Sequence, residues 1–197
     1  MPAGNCFSIR HHNAICVLQL ESSDGTNRLT RACVLALTDF IARLAVHPPR
    51  ALIITGNRCF FSAGAELQEV RALDAISAMA FARMGRQLMD AIDSFPATVV
   101  AAVHGYCLGG GLDLALACDL RIASRQATFG HRGAALGLIT GWGGTQRLSR
   151  LVGKGRALQM FLAAEKVNAA TAYDIGLIEQ LAEDPVLEAI TRLTPST

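Results

Sequence analysis

The chain has 197 residues, 51% of them apolar and 17% charged, with a formal net charge of +2. That length suits a single domain over residues 1–197 with a sizeable core, and the composition excludes a disordered chain. So small a charge gives no basis for a nucleic-acid or membrane-surface partner, and no apolar run is long and regular enough to cross a bilayer.

The first five residues show no basic n-region and h-region, so no secretory signal is expected. Cys6 to His11 and Ala14 to Leu20 read as two strands joined in a hairpin at His12-Asn13. A polar loop follows over Ser22 to Asn27. Thr30 is placed to cap a helix from Arg31 to about Ala45, with Val34, Leu37, Phe40, Ile41 and Leu44 on one face. After His47-Pro48-Pro49, Ala51 to Thr55 reads as a buried strand and Gly56 to Leu67 as a loop. Asp74 caps a long helix reaching about Phe95, and Pro96 ends it.

Val99 to Val103 is a β-branched apolar run that fits a strand covered on both faces. Gly109-Gly110-Gly111 lets the chain turn sharply and approach a ligand without a Cβ in the way. A helix starting at Gly110 or Gly111 presents unpaired N–H groups beside Asp113. Such donors next to a carboxylate, between apolar walls, suit a site that polarises a carbonyl and moves a proton. Taken alone, the stretch fits an ordinary strand-to-helix turn as well. It is neither G-x-G-x-x-G nor a Walker loop.

The helix runs to about Ala117, followed by strands at Leu120 to Ala123 and Ala127 to Phe129 and an irregular glycine-rich run over Gly130 to Gly144. Helices follow over Thr145 to Val152 and Lys154 to Ala163. Beyond them come a helix centred on Ala169 to Ala172, a turn at Gly176, a strand over Leu177 to Leu181, and a last helix from Pro185 to about Leu193. Strands alternating with helices argue for an α/β fold with parallel pairing. The six cysteines form no C-x-x-C pair, and most stand in apolar surroundings. They are expected to be reduced, buried and structural in a cytoplasmic protein, with no metal site. His104, in the central strand, reads as a satisfied core residue.

Several motifs recur in one order. They are Ile53-Ile54-Thr55-Gly56, Phe61-Ser62-Ala63-Gly64-Ala65-Glu66-Leu67, the glycine stretch, Ala117-Cys118-Asp119-Leu120-Arg121-Ile122-Ala123, Gly143-Gly144-Thr145-Gln146-Arg147-Leu148, and Ala172-Tyr173-Asp174-Ile175-Gly176-Leu177-Ile178. As a set they resemble the crotonase superfamily, the enoyl-CoA hydratase/isomerase family, over nearly the whole chain. The resemblance implies ββα turns stacked as a superhelix with two roughly perpendicular sheets and flanking helices. It implies an acyl-CoA thioester as ligand, coenzyme A being part of the substrate rather than a separate cofactor. It also implies a homotrimer or hexamer. Family members usually continue with further C-terminal helices, so that part is expected to be short or missing here.

By position, the resemblance makes the backbone N–H groups of Ala65 and Gly110 the two donors to the thioester oxygen, with Ala63, Gly64 and Gly109 leaving room for the thioester. Losing one such donor costs about 3–4 kcal/mol in acyl-transfer enzymes. Of the two carboxylates that activate water in family hydratases, the first falls on Asp113, one methylene shorter than the usual Glu. The second falls on Gly133, which has no side chain, so ordinary hydratase activity is expected to be much weakened or absent. His131 and Arg132 stand close enough in sequence to supply a proton donor or a cation. Thr140 and Trp142 either shape the acyl pocket or merely pack. Thr26, Asn27 and Arg28 match the loop that holds the adenosine and phosphates, where Arg28 would pair with a phosphate. Hydration of a 2-enoyl-CoA is the default reaction. Isomerisation, decarboxylation, thioester hydrolysis or bare acyl-CoA binding stand as alternatives, and nothing basic and aromatic argues for RNA binding.

Overall fold

The computed structural model describes residues 6–194, so the two ends of the expected 1–197 domain lie outside it. A six-stranded sheet is built from β1 (Phe7–His12), β2 (Ile15–Leu20), β4 (Ala51–Thr55), β7 (Thr98–Val103), β9 (Leu120–Ser124) and β12 (Gln180–Ala182), in that order. β1 and β2 are the antiparallel hairpin; every later neighbour pairs in parallel. A second sheet has the order β11 (Val167–Asn168), β10 (Thr128–Gly130), β8 (Tyr106–Leu108), β5 (Phe60–Ser62). Each turn of chain therefore gives one strand to the large sheet and the next to the small one: β4 then β5, β7 then β8, β9 then β10. This is the ββα repeat that the resemblance implies.

Helices fill the gaps between successive strand pairs. α1 (Arg31–Leu44) begins where the Thr30 side chain accepts from Cys33 N–H, as expected. α2 (Leu67–Arg71) is short. α3 (Ala75–Asp93) starts in a capping box between Asp74 and Ser77, and it ends two residues before Phe95, where the Ser94 hydroxyl donates to the Asp90 carbonyl. α4 (Gly110–Ala117) is buried along its whole length, which its lack of a polar face dictates. α5 (Gly144–Val152) and α6 (Lys154–Leu162) follow the glycine-rich run, and then come α7 (Ala169–Asp174) and α8 (Pro185–Leu193).

One core lies between the large sheet, α1, α3 and α4, with Leu18, Leu52, Leu88 and Leu112 at its centre; α8 covers the other face of the sheet over Val17, Ile53, Val100 and Ile122. Arg121 is buried on β9, just after α4. It donates to the carbonyls of Cys118 and Leu177 at 2.9 Å each and pairs with Glu179, which ties β9 to the approach of β12.

The local differences from the sequence reading have identifiable causes. The hairpin turn sits at Asn13-Ala14, with Asn13 at φ 51°. The strand expected over Leu177 to Leu181 is β12 at Gln180–Ala182 instead. Leu177 N–H donates to the Ala172 carbonyl and Gly176 N–H to that of Tyr173, a Schellman closure of α7 that uses up the residues before the strand. The loop over Gly56 to Leu67 contains β5 and β6 (Gly64–Ala65), and β6 pairs in parallel with β3 (Arg28–Leu29). Ladders of two or three residues carry no periodicity to read.

Leu88 is fully buried on α3. Leu88→Ala is expected to cost about 2–5 kcal/mol, measured as a fall in the urea midpoint with little change in the slope of the transition.

Candidate active site

Two segments far apart in sequence meet at the N-terminus of α4. β6 passes so close to the glycine turn that a Cβ on Gly64 would lie 2.6 Å from the Leu108 carbonyl oxygen and 2.9 Å from the Gly110 nitrogen. Gly64 also sits at φ 91°, where a side chain is strained. From the other side, a Cβ on Gly110 would lie 3.3 Å from the Ala65 nitrogen. A Cβ stands about 2.5 Å from its own nitrogen, so the Ala65 and Gly110 nitrogens are near enough to share one small atom. Glu66 N–H donates back to Leu29 on β3, and successive strand N–H groups alternate in direction, so Ala65 N–H is directed away from β3. Gly109 N–H is taken by the Gly130 carbonyl, which leaves Gly110 as the first residue of α4 with no acceptor inside its own helix.

Both amides border a cavity of about 360 Å³. Ala63, Ala65, Gly109, Gly110, Asp113, Gly133, Thr140 and Trp142 all line it, together with His131 and Arg132 and an apolar wall of Val70, Leu73, Phe81 and Leu138. Nine of the ten expected catalytic and pocket residues are thus drawn together: eight line the cavity and Gly64 forms the close approach beside it.

Asp113 is almost wholly buried on the first turn of α4. Its Oδ2 accepts the Thr140 hydroxyl, so Thr140 does more than shape a wall. Its Oδ1 lies 3.2 Å from His131 Nε2 without forming a hydrogen bond, and neither atom has another partner among the described residues. His131 is buried, and its ring stands over Phe161 of α6 with centroids 4.8 Å apart. Gly144, the first residue of α5, makes the arrangement possible, because a Cβ there would fall on Asp113 Oδ1 and 3.0 Å from His131 Nε2.

Gly133 is also constrained. Its carbonyl accepts from Leu136 and Leu138 N–H, and a Cβ on it would lie 2.7 Å from the Leu138 carbonyl oxygen. The space for a second carboxylate is filled by backbone. Trp142 packs its indole against Gly85 and Gly110 and donates to the Phe81 carbonyl at 3.3 Å, which ties the cavity wall to α3.

Arg28 stands apart. It does not line the cavity; it pairs with Asp24 at 3.1 Å and Glu66 at 3.5 Å. The Thr26 amide and hydroxyl draw the Asp24 carboxyl down to about 2. Asn27, expected in a ligand loop, is buried instead, donating to the Phe60 and Phe61 carbonyls to hold β5. His104 is not a satisfied core residue. It is half-buried and lines a separate groove with Arg10, Arg58 and Asp184, and desolvation leads the lowering of its pKa. Of the cysteines, Cys59 is exposed and Cys6 half-buried, against the expectation of burial; the other four are buried. Among the described residues no three His, Cys, Asp or Glu side chains cluster as metal ligands. Nor is any helix long and apolar enough to cross a membrane.

Comparison with known proteins gives one consistent result. A family model described as enoyl-CoA hydratase/isomerase matches residues 10–194. The chain is 38% identical to a probable enoyl-CoA hydratase of Bacillus subtilis, covering 78% of this chain and 70% of that protein. It is 37% identical to a crotonyl-CoA hydratase of Syntrophomonas wolfei (86% and 66%) and 41% identical to a short-chain-enoyl-CoA hydratase of Clostridium acetobutylicum (68% and 51%). The chain thus spans between half and seven tenths of the length of these curated relatives. Among solved structures, Pseudomonas aeruginosa DspI superposes with a TM-score of 0.92 at 35% identity, covering 98% of this chain and 75% of that one. An enoyl-CoA hydratase from Bacillus anthracis superposes at 0.90 and 31% identity (95% and 75%).

Sequence reasoning singled out His131 only by its nearness to Gly133, and missed Gly144 as the residue that gives Asp113 and His131 their room. The signal available was the pair Gly143-Gly144 opening a helix with no side-chain cap. Thr140→Val removes the hydroxyl from a buried carboxylate and is expected to cost about 1–3 kcal/mol, read by chemical denaturation; an unchanged midpoint would show that Asp113 does not depend on that donor.

Proposed function

The chain belongs to the enoyl-CoA hydratase/isomerase family, and from that premise we propose that it is an acyl-CoA enzyme working through a thioester enolate, with hydration of a 2-enoyl-CoA as its reaction. The observation that carries this reading is the adjacency of the Ala65 and Gly110 amides on the wall of a cavity that also holds a buried carboxylate, Asp113. Addition of water at C3 sends the C2=C3 electron pair toward the thioester oxygen. Two fixed N–H donors in an apolar pocket stabilise the charge that develops there. Asp113 is the base in this reading, with its orientation set by Thr140. Ala63, Gly64 and Gly109 keep side chains away from the thioester. Trp142 and the apolar wall take the acyl chain, Gly133 leaves backbone rather than a carboxylate beside it, and Arg28 meets a phosphate of coenzyme A at the rim. Coenzyme A enters as part of the substrate, and no separate cofactor is needed. A cytoplasmic homotrimer or hexamer with reduced cysteines completes the reading.

The backbone packed against Gly133 favours a second reading. Double-bond isomerisation of a 3-enoyl-CoA needs one base that takes a proton from C2 and returns it to C4, with the same oxygen holding the dienolate charge. Decarboxylation and thioester hydrolysis also run with one carboxylate, and a protein that binds acyl-CoA without turnover is the remaining case.

Assays with crotonyl-CoA and with a 3-enoyl-CoA separate these readings. Turnover is expected on at least one, and Asp113→Asn should reduce kcat by about 10²–10⁴-fold. Tight binding of acyl-CoA with no turnover of either thioester would overturn the enzymatic reading in favour of a binding protein.

A further inference from the structure

The cavity contains a second ionisable group, His131, on the stretch that carries Gly133 in place of a second carboxylate. Asp113 Oδ1 and His131 Nε2 are buried, face each other at 3.2 Å, and have no other polar partner among the described residues. Two buried polar atoms this close with no other protein partner are an uncommon arrangement that calls for an explanation. Three features hold it. The Thr140 hydroxyl takes Oδ2 and so turns Oδ1 toward the imidazole. Phe161 supports the ring from α6. Gly144 leaves them room, since a Cβ there would fall on Asp113 Oδ1 and lie 3.0 Å from His131 Nε2.

We propose that Asp113 and His131 act as one proton-transfer pair, His131 supplying the second acid/base group that Gly133 cannot. The proposal rests on the enolate reading above. In hydration, the pair takes one proton from water as the water oxygen bonds to C3. The C2=C3 electrons move to the thioester oxygen between the Ala65 and Gly110 amides. The enolate then collapses, and the same proton returns to C2. The O–H and C2=C3 π bonds are broken, C3–O and C2–H bonds are formed, and no proton or electron is left over. The carboxylate orients the imidazole and stabilises its protonated form while the proton is in transit, so one carboxylate and one imidazole suffice where two carboxylates would otherwise serve.

The charged surroundings of the pair are simple. Arg132, on His131's own loop, is exposed at the cavity wall. Cys107 on β8 is a neutral thiol, its pKa raised first by burial and then by the nearby Cys118 and Asp113. α6 presents Phe161, and α5 presents Gly144. Arg147 of α5 is turned away to Asp90 and Asp93.

The test uses the intact chain and two readouts. Deuterium incorporation at C2 of butyryl-CoA in D₂O reports enolate formation, and crotonyl-CoA turnover reports water addition. His131→Gln is expected to lower kcat for crotonyl-CoA by about 10²–10⁴-fold with KM changed little, and to alter the kcat/KM pH profile. His131→Gly is expected to regain turnover with added imidazole, a recovery that a purely structural histidine would not give. A His131→Gln enzyme with wild-type kcat and an unaltered pH profile overturns the proposal and leaves the enolate reading standing. If His131→Gln does not fold, failure of imidazole to restore turnover to folded His131→Gly overturns it as well. A wild-type chain that neither exchanges C2 protons nor hydrates crotonyl-CoA removes the enolate reading, and the proposal with it.

Discussion

The structure depends on a close passage of two stretches of main chain. β6 and the turn before α4 come together at Gly64 and Gly110 with no room for a methyl group on Gly64. Polar backbone groups approach this closely only where each is hydrogen-bonded or kept for a ligand. Here the neighbouring amides are taken: Ala63 by Thr26, Gly64 by the Ser62 hydroxyl, Gly109 by Gly130. Those bonds fix the direction of the two amides between them. The ladder with β3, the buried Asn27 and the whole length of α4 serve to hold this meeting point rigid.

A second constraint follows from burying a carboxylate beside that point. A polar group away from water needs a setting built for it, and the side chains that face Asp113 come from the irregular run between β10 and α5. Thr140 and His131 both belong to it, and Gly133, Gly137 and Gly144 allow the run to fold back on itself. The glycines therefore determine which side chains reach the carboxylate, as much as the side chains do.

Much of this could be read from the chain. The hairpin, the capped helices and the strand, turn and helix around Gly109 follow from periodicity and capping residues, because those signals are local. The pairing of Ala65 with Gly110 needed the ordered set of motifs, since no local rule joins residues 45 positions apart. The short strands β3, β6 and β11 left no trace, being too brief for a period. Asn27 and Arg28 match a ligand-holding loop by position, and nothing in a polar loop signals that Asn27 hydrogen-bonds inward to β5 while Arg28 pairs with Asp24 and Glu66. His104 failed for the opposite reason: an apolar strand suggested a core position, but the strand end opens onto a groove.

The contact between Trp142 and Gly85 reaches beyond packing. Trp142 is the chain's single tryptophan, and its indole forms part of the cavity wall while bonded to the backbone of α3. Indole emission responds to the polarity and rigidity of what surrounds it. The protein therefore carries its own optical reporter, with no competing signal from a second indole, set in the wall of the cavity.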